Sequence, residues 1–227
     1  MKNQRKDVLF VKSYFVHLIR HGITKGNLEG RYIGSTDLPL CPEGEAQIRS
    51  YIKKYNYPEA DLYFSSPLLR CKQTLHLIYP DAGYRIVPGL AEHRFGEFEG
   101  KSMEQLKDNE EFKKWMKEGT APEGTESNLD FAKRVCKAFN ETVKTLLSSG
   151  QRSAVICTHG GVIMTLLTVY GFPKKEMVDW MCDSGMGYTI RITPTLWMRD
   201  GTFEVESIIP EGVAEDPDFF PDAEKDK

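Results

Sequence analysis

Apolar residues fall along this chain in two rhythms. Short runs flanked by polar or turn residues give six strand candidates, at residues 14–20, 61–65, 84–87, 153–158, 187–193 and 202–209. The first and fourth are almost continuously apolar, as strands buried on both faces of a parallel sheet are. Between the strands the spacing changes to three and four residues. Leu129, Ala132, Cys136, Phe139, Val143 and Leu146 form one such stripe. Leu68, Cys71, Leu75 and Ile78 form another, in a helix opening with Ser66-Pro67 as cap and first position. A third, apolar helix is expected over 162–170. Strands alternating with helices predict an α/β fold, a three-layer α/β/α sandwich around a mostly parallel central sheet.

Two stretches depart from this alternation. Residues 101–127 are polar and charged, with Met103, Leu106, Phe112, Trp115 and Met116 as an apolar stripe. They read as a helix and loop laid over one edge, placed to serve as a lid. From Glu211 onward Asp, Glu and Pro surround a lone Phe219-Phe220 pair, so 211–227 is expected to be an acidic tail, disordered or loosely tethered. No linker or repeat divides the 227 residues, and a single domain over 1–227 is expected.

Charge narrows the partners. A formal net charge of −3, with no long block of Lys and Arg, argues against a nucleic-acid or anionic-membrane surface, so an anionic ligand must be drawn by a local cluster. No window has the length of a membrane span, and the apolar run after the basic start is too short for a signal peptide, so a cytoplasmic location is expected. The five cysteines are odd in number, widely spaced and free of any Cys-x-x-Cys, which fits reduced thiols better than disulfides or a metal site.

The candidate chemistry lies where strands stop. The first strand runs into Arg20-His21-Gly22 and the fourth into Thr158-His159-Gly160-Gly161. In an open parallel sheet, ligands bind beyond the carboxyl ends of the strands, where both imidazoles should converge. The glycines would let a ligand approach the backbone, and the free amides opening the helix after His159 favour an anion. Arg20 stands beside His21, and Arg70 falls in the first turn of the helix after the second strand. Two guanidiniums, two imidazoles and a helix N-terminus describe a phosphate pocket. His17 reads as a sheet-neighbour histidine and His76 as facing elsewhere. His93 is left open.

Four segments, in order, resemble the motifs of the histidine phosphatase superfamily, with its phosphoglycerate mutase-like fold. They are Arg20-His21-Gly22-Ile23-Thr24 with Asn27, Ser65-Ser66-Pro67-Leu68-Leu69-Arg70-Cys71-Lys72-Gln73-Thr74, Leu90-Ala91-Glu92-His93-Arg94-Phe95-Gly96-Glu97-Phe98-Glu99-Gly100, and Thr158-His159-Gly160-Gly161. The likeness spans about residues 14–170. It implies that His21 is the nucleophile that becomes phosphorylated, that Arg20, Arg70 and His159 grip the phosphoryl oxygens, and that Asn27 adds a polar contact. Glu92 matches the proton donor to the leaving group. Residues 31–40 and 95–100 look most like small bacterial phosphatases, especially the α-ribazole phosphatase branch. Phe98 stands where that branch usually has tryptophan, and Pro122-Glu123-Gly124-Thr125-Glu126-Ser127 carries one extra threonine.

The chemistry asks for these residue types. A phosphate monoester already carries close to two negative charges near neutral pH, and arginines neutralise them without losing their own charge. A neutral imidazole can attack without adding negative charge, and a carboxylic acid can protonate the departing alkoxide. Rival phosphatase loops fail: no cysteine begins Cys-x5-Arg, and no Walker-type loop occurs. The expected function is hydrolysis of a small phosphate monoester through phosphohistidine, with no cofactor and no metal. α-Ribazole 5′-phosphate is the first specific candidate. The alternatives are mutase-type phosphoryl transfer and a non-catalytic phospho-ligand sensor.

Overall fold

The strand Tyr14–Arg20, β1, is mostly buried, and its alternation sends its buried apolar side chains to two layers. In a computed structural model, which describes residues 12–119 and 121–216, Tyr14, Val16 and Leu18 join one core while Ile19 joins another. The central neighbour β4 (Ser153–Thr158) does the same, sending Ala154 and Ile156 one way and Val155 and Cys157 the other. This two-residue period divides the continuous apolar runs between two helical layers.

Seven strands form one sheet in the order β3-β2-β4-β1-β6-β7-β5. The others are β2 (Leu62–Ser65), β3 (Arg85–Ile86), β5 (Gly171–Phe172), β6 (Gly187–Ile192) and β7 (Phe203–Ile209). Only β6 runs against the rest, antiparallel to both β1 and β7. The helices among the described residues are α1 (Lys25–Leu28), α2 (Pro42–Lys54), α3 (Leu69–Ile78), α4 (Met103–Leu106), α5 (Glu110–Glu118), α6 (Asn128–Ser148), α7 (Gly160–Tyr170) and α8 (Pro194–Asp200). Phe131, Val135, Phe139, Val162 and Leu166 of α6 and α7 fill the first core. Cys71 and Leu75 of α3 fill the second. The architecture is thus the expected three-layer α/β/α sandwich. None of the described helices is long and apolar enough to cross a membrane.

Several expectations shift on inspection. The C-terminal half of the α6 stripe, Phe139, Val143 and Leu146, is buried as expected, but its N-terminal half differs: Phe131, Val135 and Ala138 are buried, whereas Leu129 is 62 % exposed and Ala132 and Cys136 are half-buried. The bulkier Phe131 and Val135 remove more apolar area from water than Ala132 and Cys136 could. Helix α3 begins at Leu69, not at Pro67, and its first amide donates to Asp37 Oδ1 at 2.5 Å, so the cap comes from a distant loop. Within 101–127, Leu106, Phe112 and Trp115 pack with Phe98 in a small core of their own against Tyr32 and Phe95, while Met103 and Met116 face solvent.

The predicted loose tail is partly anchored. Asn56 and Glu211 exchange backbone hydrogen bonds of 3.2 and 2.8 Å, Val213 is buried against Tyr51 and Tyr55, and Asp216 meets Lys54 and Tyr55. Residues 217–227, including Phe219-Phe220, lie outside the described residues.

Candidate active site

Sheet register brings the two His-Gly endings together. Arg20 is paired with Thr158 across β1 and β4, so the next residue of each strand is a histidine on the same rung. Ser65 is paired with Cys157 across β2 and β4, which delivers Ser66 and the start of α3 to the same sheet end. His21 and His159 are both buried and lie edge to face with ring centroids 5.2 Å apart.

Each imidazole is oriented by a neighbour. His21 Nδ1 lies 2.7 Å from the Gly22 carbonyl, which can only accept, so Nδ1 carries the proton and Nε2 presents its lone pair. Burial, and then the charge of Arg70, push the His21 pKa well below 6.5, outweighing the Gly22 hydrogen bond. The ring is therefore neutral near pH 7. His159 is held neutral too, by burial and then by His21, Arg70 and Arg20. The Ser66 hydroxyl accepts from the Leu68 amide at 3.4 Å and lies 2.6 Å from His159 Nε2.

The arginines are held by backbone and still have donors to spare. Arg70 is 1 % exposed, and its two terminal nitrogens donate to Thr36 O at 2.9 Å and Gly34 O at 2.8 Å. Arg20 donates to Cys182 O at 2.5 Å. In both, the Nε–H is buried and makes no hydrogen bond within the protein. Orphaned donors of this kind are costly unless a ligand completes them, and a phosphoryl oxygen is such a ligand. Among the described residues no group of three or more His, Cys, Asp and Glu side chains could hold a metal ion.

Glu92 approaches from the other side. Its carboxylate accepts from the Gly161 amide at 3.1 Å and from the His93 amide at 2.9 Å. A Cβ at position 161 would sit 2.5 Å from Glu92 Oε1, so Gly161 makes room for this carboxylate. The absent Cβ of Gly160 faces Arg20, and that of Gly22 faces Ile48 and Leu40. The glycines thus admit protein groups where the sequence suggested a ligand.

Asn27 is not aimed at the imidazoles by any observed bond. Its side-chain oxygen closes the capping box of α1, accepting from the Thr24 amide at 3.0 Å and the Thr24 hydroxyl at 2.9 Å. His93 is buried against Phe95, Trp115 and Phe131 and belongs to packing.

Four groups were given no supporting role by the sequence, although Ser66, Thr74 and Glu99 lie inside the segments that resemble the superfamily's motifs. Ser66 orients His159, as described. Thr74 Oγ1 accepts from the Gly22 amide at 2.8 Å and donates to the Arg70 carbonyl at 2.7 Å, tying α3 to the His21 turn. Glu99 accepts from the Gly34 and Ser35 amides and the Ser35 and Thr36 hydroxyls at 2.7 to 3.2 Å, which fixes the loop whose carbonyls hold Arg70. Arg134 holds the loop that carries Glu92.

Paired neutral imidazoles and orphaned guanidinium donors at the carboxyl ends of a mostly parallel sheet define a phosphoryl-handling α/β enzyme. The chain belongs to the histidine phosphatase superfamily (branch 1), whose profile matches residues 16–198. It is 32 % identical over 172 residues to 2,3-bisphosphoglycerate-dependent phosphoglycerate mutase 2 of Gloeobacter violaceus, covering 71 % of this chain and 78 % of that one. It is 29 % identical over 184 residues to the adenosylcobalamin/alpha-ribazole phosphatase of Escherichia coli, covering 77 % and 88 %. The crystal structure of phosphoglycerate mutase from Thermus thermophilus superposes with a TM-score of 0.63 at 31 % identity, covering 86 % of this chain and 97 % of that one.

Proposed function

We propose that this enzyme hydrolyses a small-molecule phosphate monoester in two steps through a phosphohistidine at His21. The observation that carries this reading is the His21 tautomer: Nδ1–H is committed to Gly22 O, leaving a neutral Nε2 as nucleophile beside two guanidiniums with unused buried donors. In the first step Nε2 forms a bond to phosphorus as the P–O bond to the alcohol breaks. Arg20, Arg70 and His159 stabilise the charge on the transferring group. The departing oxygen takes its proton from Glu92. In the second step Glu92, now ionised, removes a proton from water, whose oxygen attacks phosphorus and releases neutral His21 and inorganic phosphate. Asn27, whose carbonyl is taken by Thr24, has only its amide N–H groups to offer the phosphate. A cytoplasmic setting goes with this reading, supported by five cysteines that all stand as free thiols.

Water, and not a second hydroxyl of the substrate, is proposed as the acceptor. A mutase must hold a substrate with more than one anionic group. Over 101–127, however, Lys101, Lys107, Lys113, Lys114 and Lys117 are outnumbered by seven Asp and Glu. Two of these lysines are engaged locally, Lys107 with Glu104 and Lys113 with Glu110. The substrate to try first is α-ribazole 5′-phosphate. The second reading, phosphoglycerate mutase-type transfer, is favoured by the 32 % identity to the Gloeobacter mutase.

One experiment tests both. Acid-labile, base-stable phosphate should appear on substrate-quenched wild-type protein and be absent from a folded His21→Ala variant, which should show no turnover. Simple monoesters should release inorganic phosphate. A His21→Ala protein of near wild-type rate would sink the mechanism. Rapid interconversion of 3- and 2-phosphoglycerate with little phosphate released would instead select the mutase reading.

A further inference from the structure

Glu92 sits on an irregular segment, so nothing in the sheet fixes where its carboxyl points. We infer that Arg134, on α6 and away from the phosphate pocket, is the positioning residue that sets Glu92 for proton donation. This inference rests on the proton-donor assignment made above.

The observations converge on one clamp. Arg134 Nη1 donates to Gly89 O at 3.0 Å and Ala91 O at 2.9 Å, and Nη2 donates to the carbonyl of Glu92 itself at 3.3 Å. The opposite edge of the guanidinium is a fork onto Glu126: Nε donates to Oε1 at 2.8 Å and Nη2 to Oε2 at 2.7 Å. Glu126 then reaches the far side of Glu92, its backbone amide donating to Arg94 O at 2.8 Å and its Oε2 accepting from the Arg94 amide at 3.4 Å. The peptide units on both sides of Glu92 are thus tied to one buried ion pair. Glu126 is 4 % exposed, and although burial raises its pKa, the Arg134 hydrogen bond and charge hold it below the usual carboxylate range. The pair stays ionised at neutral pH, so the clamp stays closed.

The residue type matters. A guanidinium offers five donors in a fixed plane, enough to engage three carbonyls and both carboxylate oxygens at once. A lysine at 134 would keep the charge beside Glu126 but could not span the loop. Only Glu92 should then wander, because the parts that hold phosphate, at the ends of β1, β4 and α3, make no hydrogen bond to Arg134.

The test compares phenyl phosphate with p-nitrophenyl phosphate, two esters of similar shape whose leaving groups differ in their need for a proton. Wild type, Glu92→Gln, Arg134→Lys and the double variant are measured on both, with melting temperatures recorded. Glu92→Gln should lower kcat/KM for phenyl phosphate by about a hundredfold or more and for p-nitrophenyl phosphate far less. Arg134→Lys should show the same selective loss, smaller, on the order of tenfold for phenyl phosphate, because misplacement and not removal of the acid is involved. In the Glu92→Gln background it should cost almost nothing further. Equal slowing of both esters by Arg134→Lys, or an undiminished cost in the double variant, would overturn the inference while leaving Glu92 as the acid. Absence of any leaving-group dependence in Glu92→Gln would overturn the proton-donor reading and the inference with it. Should Arg134→Lys not fold, Arg134→Gln with Glu126→Gln removes both charges of the pair and serves the same comparison.

Discussion

The two sides of the pocket are held in place by different means. On the phosphate side, His21 and His159 follow paired residues of adjacent parallel strands, and their positions are consequences of sheet register. Loop 31–36, whose carbonyls hold Arg70, and loop 89–100, which carries the proposed acid Glu92, are fastened instead by charged side chains, Glu99 for the first and Arg134 for the second. A register is maintained by many backbone bonds and tolerates the loss of one side chain. A loop fastened by one carboxylate or one guanidinium does not.

The largest effect expected from this contrast comes from Arg70, a side chain of the register-held half. Its guanidinium is almost wholly buried, and its partners are carbonyls, not a carboxylate. Burying such a charge costs stability in the resting protein, and under the proposed function a bound phosphate would return the compensation. Arg70→Met should therefore lower kcat/KM by roughly a thousandfold, as loss of a buried donor to a developing charge does. Its melting temperature should equal or exceed the wild-type value. A variant that loses activity together with several degrees of stability would show that Arg70 is part of the scaffold, and the contrast between the two halves would fail there.

A smaller and differently shaped effect is expected at Glu99, on the loop side. Its carboxylate gathers the amides of Gly34 and Ser35 and the hydroxyls of Ser35 and Thr36, and the carbonyls of Gly34 and Thr36 in turn hold Arg70. Glu99→Ala frees this loop, so KM for substrate and the inhibition constant for inorganic phosphate should rise together by about tenfold or more, with kcat less affected. Glu99→Gln keeps one acceptor oxygen and should recover part of the loss. Melting temperature should fall, because several donors lose their acceptor. An unchanged phosphate inhibition constant in Glu99→Ala would show that Arg70 is held without the loop.

The same division decides what the sequence could reveal. An apolar run ending in His-Gly is a local signal, and it located His21 and His159 with the correct strand boundaries at 14–20 and 153–158. Arg70 was legible because it opens a helix directly after a short strand. Arg134 carried no local signal, and Glu99, although inside a recognised segment, gave no sign of its task, since the two act on backbone 42 to 65 residues away. Thr74 also lay inside a recognised segment, but nothing there showed that it reaches Gly22 across 52 residues. The glycine after His21 was read as clearance for a ligand, but the missing side chain clears Ile48 and Leu40. The α6 stripe was right at Phe139, Val143 and Leu146 and wrong in the first turns, where two overlapping apolar faces fit a helical period and only packing chooses between them.

The smallest effect probes the frame itself, through a histidine with no part in the chemistry. His17 lies four residues before His21 on β1, buried, with Nδ1 3.0 Å from Thr189 Oγ1 on the neighbouring strand. Burial lowers its pKa from 6.5 to about 4. As pH falls from 6.5 toward 4, the unfolded chain binds a proton at this residue that the native sheet refuses, so stability is lost over that window and intact above it. His21 and His159, also held neutral, add losses of the same sign. In His17→Gln the slope of unfolding free energy against pH should be shallower by up to about 1.4 kcal/mol per pH unit, one proton's share. The gap between wild type and variant should be constant above pH 6.5 and change only below it. Urea denaturation of both proteins between pH 4.5 and 7.5 measures this directly. Parallel curves across the whole range would mean that His17 takes its proton inside the folded sheet, and that the frame around β1 is more open to water than its packing indicates.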